Sequence, residues 1–188
     1  VSDMSHEGGG LKGDRCNFVH FGREPLSFTI PGMSDVMPYG SSRFRDLTRS
    51  QLESYHHAFT TALTDAVRRF RPDIIHSHHI WLATAIARQV VPELPLVTSC
   101  HSTDLRQMEL CPHLAQDAAR WCSQVDRVLA LTGEQAERIH RLYGIDRKRI
   151  DIVGAGLDLE RFSFGEQAKQ GPVELLYGGK LSLAKGVD

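Results

Sequence analysis

The sequence has no long apolar run. Nowhere does an uninterrupted apolar stretch approach the roughly 20 residues that a helix needs to cross a bilayer, and the opening residues lack the basic, apolar and small-residue order of a secretory signal. A cytoplasmic protein is expected. A basic surplus is missing too. The formal net charge is -1, whereas a protein that grips nucleic acid by neutralising phosphates carries an excess of Lys and Arg, so no nucleic-acid partner is expected. No C-x-x-C pair occurs among the four cysteines, Cys16, Cys100, Cys111 and Cys122. That argues against the common zinc and redox motifs, and leaves free thiols suited to a reducing compartment. No P-loop, Ser–His–Asp set or pair of catalytic carboxylates can be assigned from spacing.

What remains is the composition of a globular domain with a real core: 188 residues, 41% hydrophobic and 24% charged. The first fifteen residues are glycine-rich and show no apolar periodicity. Gly9 and Gly10 within the Gly8–Gly10 run form a candidate phosphate loop, because glycine lets backbone N–H groups approach an anion closely. Only Val1–Met4 precede it and no helical pattern follows, which favours a surface loop. Cys16–Phe21 alternates and predicts a short strand. Residues 22–47 form a long irregular connection with several prolines, the kind of loop that often carries function.

Thr48 and Gln51 then have the spacing of a capping box. Leu52, Tyr55, Phe59, Leu63, Ala66, Val67 and Phe70 follow on one helical face, and Pro72 marks the end. After it the chain alternates. Strands are predicted over 73–76, 96–100, 127–131, 150–153 and 173–177. Helices are predicted over 80–91 and 112–123, and from a second capping box, Thr132 with Gln135, to Tyr143, with Gly144 as the stop. Short apolar strands separated by helices imply an α/β fold, a Rossmann-like parallel sheet with helices on both faces. Residues 1–164 are expected to form one such domain that lacks its first strand–helix unit, 165–172 a linker, and 173–188 the start of a second domain.

Ligands of such sheets bind beyond the carboxyl ends of the strands. His76–His79, His101–Asp104 and Gly154–Asp158 all fall there. His101 follows a buried strand directly, where an imidazole can orient a sugar hydroxyl or donate to a phosphate oxygen; the competing reading is a histidine that caps the turn. His78, Ser102, Thr103, Asp104 and Gly156 are expected to line the same crevice, with Asp104 and Arg106 paired or solvating the loop. Asp158 suits an Asx turn. His76 and His78 offer two imidazoles in an H-x-H pattern, but no third ligand stands at motif spacing, so no metal is expected. Lys180 and Lys185, after Gly179, make a plausible diphosphate clamp at a helix start.

Read together, RPDIIHSHHIW, PLVTSCHSTD, DRVLALT, VGAGLDLERF and ELLYGGKLSLAKGVD, in that order, resemble the retaining glycosyltransferases of family 4, the glycosyl transferases group 1 class. IPGMSDVMPY resembles a stretch of some bacterial members, and the likeness covers roughly residues 27–188. It implies a GT-B fold: two Rossmann-like domains facing across a cleft, the first mainly binding acceptor and the second a nucleotide-sugar. This chain would be mostly the first. The reaction implied is transfer of a sugar from a nucleotide-sugar donor to a hydroxyl-bearing acceptor with retention, using no cofactor. Under the resemblance His101 matches the histidine that contacts the transferred sugar. Lys180 stands where the family usually has arginine, and Lys185 matches the lysine of its K-G element; both would bind the donor diphosphate and stabilise the leaving nucleotide.

Two departures qualify this. The family's first strand and glycine loop are missing or shortened. Its paired glutamates, seven residues apart, fall beyond Asp188, so this chain alone is expected to have little or no transferase activity. Peripheral contact with the inner face of a membrane stays open, as does the oligomeric state. A non-catalytic sugar- or phosphate-binding module, or another enzyme on the same fold such as a nucleotide-sugar epimerase, are the rival readings. Because zinc sites usually declare more ligands than H-x-H, the purified protein is expected to hold far less than one zinc per chain. Elemental analysis that finds about one would overturn that reading.

Overall fold

The computed structural model describes residues 15–162, 171–172 and 176–179. They fall into two compact units, one within Val1–Ala155 and a smaller one within Gly156–Asp188.

The first unit is an α/β layer. A pair of two-residue parallel strands, β1 (Pro31–Gly32) and β2 (Ser42–Arg43), lies inside the long connection. Helix α1 (Arg49–Phe70) follows. Both halves of its capping box are made: the Gln51 backbone N–H donates to Thr48 Oγ1, and Gln51 Oε1 accepts from the Thr48 N–H. Then come β3 (Ile75–His78), α2 (Leu82–Val90), β4 (Leu96–Ser99), α3 (Thr103–Leu110), α4 (Pro112–Cys122), β5 (Arg127–Ala130), α5 (Gly133–Tyr143) and β6 (Ile150–Ile152). Gly144 closes α5 in the left-handed region at φ 68°, where glycine carries no Cβ penalty.

Strands β3 to β6 form one parallel sheet in sequence order. Its register pairs Ile75 with Leu96, Thr98 with Val128, and Val128 with Ile150. Paired residues in neighbouring strands point the same way, so Leu96, Thr98, Val128, Ala130 and Ile150 share one buried face. That face packs into a core with Ala85, Ala87, Ala118, Cys122 and Ile139 from the helices. The opposite face carries His76, His78, Val97, Ser99 and Leu129, which are half-buried or exposed. A sequential strand order with right-handed crossovers puts successive helices on one side, so among the described residues the second face of the sheet has no helical cover.

The expected α/β Rossmann-like parallel sheet is thus present, but the expectation of helices on both faces is met on one face only among the described residues, because the strands follow in sequential order; other differences are local. Cys16–Phe21 is not a strand; it runs as coil, and Arg69 donates to the Cys16 carbonyl at 3.2 Å. The first strand of the sheet lies two residues later than periodicity placed it, because Ile75–His78, not Asp73–His76, is in register with β4. Helix α3 is a new element inside what was read as a loop. The strand predicted at 173–177 and the linker at 165–172 lie largely outside the described residues.

A buried guanidinium fixes the far end of the sheet. Arg88, 6% exposed, donates to the carbonyls of Pro92 and Leu94 at 2.8 and 2.9 Å and to Asp126 Oδ2 at 3.1 Å. Asp126 Oδ2 also accepts the Leu96 N–H at 2.8 Å, which sets where β4 begins.

Because the capping box of α1 satisfies two otherwise orphaned N–H groups, Thr48→Ala is expected to lower stability by about 1 kcal/mol. Urea denaturation checks this; an unchanged midpoint would show that α1 does not lean on its cap.

Candidate functional site

The register that pairs His78 with Ser99 makes β3 and β4 end side by side. The chain therefore leaves the sheet at His79 and at Cys100 next to itself, and the two exit loops are joined by one side chain. Asp104, in the first turn of α3, is 0% exposed. Its Oδ2 accepts the backbone N–H of Ile80 at 2.9 Å and of His101 at 3.0 Å. Its Oδ1 lies 2.7 Å from His79 Nδ1, which donates to it, and accepts from Thr103 Oγ1 at 3.3 Å. Burial works to raise the pKa of this carboxyl, but the bonds from His79, His101 and Ile80 outweigh it and hold it below the ordinary 3.8.

His101 is exposed, and its Nε2 sits 3.0 Å from His78 Nδ1. One of these nitrogens must donate and the other accept, so the contact holds a single proton between two rings. The rings are stacked at 5.2 Å between centroids, with His79 at 4.7 Å from His101 and His76 at 4.7 Å from His78. Desolvation first, then the charges of His76, His101 and His79, lower the His78 pKa below 6.5. His76 is held apart by Ser99 Oγ at 2.9 Å.

Two residues of this cluster sit in the left-handed region without being glycine: His79 at φ 69° and Ser102 at φ 65°. Such backbone costs on the order of 1–3 kcal/mol and persists where surroundings over-determine it. Here they do. Thr84 Oγ1 donates to the His79 carbonyl at 2.7 Å, and Asp104 holds His79 from the other side. Ser102 Oγ accepts from Gln135 Nε2 at 2.7 Å, while Gln135 Oε1 takes the Leu131 N–H at 2.7 Å. The Tyr143 hydroxyl donates to the carbonyl of Ile80.

The expected residues thus occupy distinct places. His78 and His101 are in contact, and Ser102 and Thr103 flank them at the start of α3. Asp104 lies beneath the surface and does not face solvent. It does not pair with Arg106 either; that guanidinium pairs with Asp35, at 3.9 Å. Gly156 opens the second unit, in which Asp158 Oδ1 accepts the N–H groups of Glu160 and Arg161 at 3.1 Å, the expected Asx turn. Gly179 also belongs to that unit, and a Cβ there would stand 2.8 Å from Tyr177 Oη. Gly9, Gly10, Lys180 and Lys185 lie outside the described residues. Among the described residues no group of three or more His, Cys, Asp or Glu side chains is arranged to hold a metal ion. Sequence reasoning missed Gln135 and Tyr143. The spacing of Thr132 and Gln135 points to a capping box, whereas the Gln135 side chain bonds Leu131 and Ser102, and nothing local marks Tyr143 as a partner of a loop far back in the chain.

A Rossmann-like α/β layer with paired histidines beyond the carboxyl ends of its strands has the architecture of one half of a GT-B glycosyltransferase. Comparison with known proteins makes this specific. Residues 33–161 match the family model described as Glycosyltransferase Family 4. A glycogen synthase of Mycobacterium tuberculosis (strain ATCC 25618 / H37Rv) is 28% identical over 129 residues, 64% of this chain and 31% of that protein. The D-inositol 3-phosphate glycosyltransferase 1 of Catenulispora acidiphila is 28% identical over 164 residues, 77% of this chain and 38% of the relative. A D-inositol 3-phosphate glycosyltransferase of Kribbella flavida is 26% identical over 180 residues, 85% of this chain and 42% of the relative. The chain belongs to Glycosyltransferase Family 4. It spans 31–42% of the length of these curated relatives.

Since both oxygens of Asp104 accept from donors, an amide at this position must turn its NH2 against one of them. Asp104→Asn is expected to cost about 1–3 kcal/mol at pH 7 by urea denaturation; a wild-type midpoint would show that the carboxylate does not tie the loops. The pH dependence follows from the lowered pKa. The contribution of Asp104 is complete above the unfolded value and is lost as pH falls through the lower folded one. Stability below about pH 4 should therefore fall less steeply in Asp104→Asn than in wild type. His78 should titrate below 6.5 in a histidine NMR titration, and His76→Gln, which removes one of the charges that oppose its protonation, should move that midpoint up.

Proposed function

We propose that this chain is the acceptor-side half of a retaining glycosyltransferase that moves a sugar from a nucleotide-sugar to a hydroxyl acceptor. The observation that carries the reading is the presentation of His101 at the carboxyl edge of the sheet, with its backbone N–H on a buried carboxylate and its Nε2 on His78. A neutral His78 that keeps its proton on Nδ1 donates to His101 Nε2. The His101 proton then sits on Nδ1, the nitrogen with no protein partner among the described residues, where it can donate to an oxygen of the transferred sugar. Lys180 and Lys185 supply positive charge for the diphosphate as it departs, which stabilises the transition state more than the ground state. The donor brings its own leaving group, so no cofactor is needed.

Two relatives are named for D-inositol 3-phosphate and one for glycogen, which makes polyol phosphates and glucans the first acceptors to screen. No described helix is long and apolar enough to cross a membrane. We place the reaction in the cytoplasm, which suits four free cysteines; contact with the inner face of the membrane would depend on the acceptor.

In the full-length enzyme that carries this segment, His101→Ala is expected to cut turnover more than tenfold, over ~1.4 kcal/mol of transition-state stabilisation, with its thermal midpoint held. His78→Phe should cost less, because it frees the tautomer of His101 without removing the donor. Unchanged turnover in His101→Ala would overturn the role.

A further inference from the structure

Asp104 does more than join two loops, because it also fixes where one proton lies. It is fully buried, its pKa is held below 3.8, and an ionised carboxylate has only lone pairs to offer. The proton in its 2.7 Å contact with His79 therefore sits on His79 Nδ1. A neutral imidazole carries a single N–H, so Nε2 of His79 is left as an acceptor. Among the described residues that nitrogen has no hydrogen-bond partner. The ring is not sealed in either. Its side chain is 37% exposed and borders a cleft that Pro31 of β1 and Ala83 of α2 also line.

Satisfying the carboxylate does not by itself call for a histidine. The N–H groups of Ile80 and His101 and the Thr103 hydroxyl already donate to Asp104. At φ 69° glycine or asparagine would sit with less strain, and asparagine could donate to the carboxylate as well. An imidazole adds what neither has, a second nitrogen able to take up a proton. Its ring lies 4.7 Å from that of His101, whose Nδ1–H is the proposed donor to the sugar. One edge of the sheet thus presents a proton donor and a proton acceptor side by side.

We propose that His79 Nε2 is the general base that takes the proton of the acceptor hydroxyl, with Asp104 as the positioning residue behind it. The inference rests on reading this half as the acceptor side of a transferase. As the acceptor oxygen bonds to the anomeric carbon, the bond from that carbon to the diphosphate oxygen breaks and its electron pair leaves with the nucleotide. The hydroxyl proton passes to His79 Nε2. The imidazolium so formed stays paired with Asp104 and later returns the proton to water. Because the proton comes from the acceptor oxygen, the step is compatible with retention at the anomeric carbon. The competing course hands that proton to the departing diphosphate and makes no use of His79.

Asparagine at position 79 accepts the left-handed backbone and can still donate to Asp104, but it cannot take a proton. In the full-length enzyme, UDP-, ADP- and GDP-hexoses serve as donors and D-inositol 3-phosphate or a short glucan as acceptor. A positioned base contributes about 10²–10⁴-fold, so His79→Asn should cut kcat at least about a hundredfold, with the acceptor KM changed less than about threefold and the thermal midpoint held. His79→Gly, equally suited to the backbone, should regain turnover at least about tenfold when imidazole is added. A second measurement uses the chain itself. Nitrogen-15 NMR should show His79 with its proton on Nδ1, assigned by the loss of its signals in His79→Asn. In Asp104→Asn the amide NH2 should turn to the ring, which can answer by moving its proton to Nε2, whereas the two backbone N–H groups cannot. Near-wild-type kcat in His79→Asn, no rescue of His79→Gly, or a wild-type proton on Nε2 would each overturn the base. An unmoved proton in Asp104→Asn would overturn the positioning role. Turnover lost in His101→Ala but kept in His79→Asn would overturn the base and leave the transferase reading standing, while a wild-type enzyme that transfers no sugar would overturn both.

Discussion

Burying a carboxylate is costly unless its oxygens are met by donors, and in this protein the bill is settled by the site itself. Asp104 is fully buried, and the groups that satisfy it are the backbone of His101, the backbone of Ile80 and the ring of His79. Every one of these belongs to a loop that would otherwise be free to move. The charge that makes burial expensive is also what makes the two loops a single object, since neither can leave without stranding the other. The left-handed backbone at His79 and Ser102 is tolerable for the same reason.

Below this knot the sheet does the coarse positioning. Parallel register sends β3 and β4 out of the layer together, and strand parity puts His76 and His78 on the open face while Leu96, Thr98 and Val128 face the helices. Arg88 and Asp126 anchor the opposite end, fixing where β4 starts and hence where it finishes at Ser99. The loops then need only fine placement, and hydrogen bonds of 2.7 to 3.0 Å to one carboxylate supply it. Helix α5 adds a second brace through Gln135 and Tyr143, so the site is held from three elements rather than along one loop.

How much of this is written locally differs from residue to residue. Thr48 and Gln51 form their capping box because the motif needs only four consecutive residues and no distant partner. The same spacing at Thr132 and Gln135 succeeds only in half. Thr132 Oγ1 accepts the Gln135 N–H, but the glutamine side chain is drawn away to Leu131 and Ser102, a choice made by tertiary contact. Helix α3 is short and mixes buried Leu105 and Met108 with a buried Asp and Gln, so its periodicity is masked by residues buried for their hydrogen bonds. Cys16–Phe21 shows the reverse. It alternates like a strand yet has no ladder to join, and alternation without a partner does not make a sheet. The parallel layer was legible because apolar runs and helix stops repeat several times, and His101 stood out because it follows such a run directly. That Asp104 is the buried tie, and not a residue of the crevice wall, depends on the fold of two loops that are far apart in sequence.

The way His78, His79, His101 and Asp104 are tied also bears on how the site can be moved between scaffolds. None of the four works as a lone transplanted side chain, because each depends on the backbone path of another. The smallest portable piece begins at Ile75, where the register with β4 is set, and must run as far as Tyr143, whose hydroxyl closes on Ile80. Within that piece, a single-residue insertion in β3 or β4 inverts the parity of the strand and turns the imidazoles into the core. Recombination at the level of whole α/β units therefore suits this half-domain better than loop grafting.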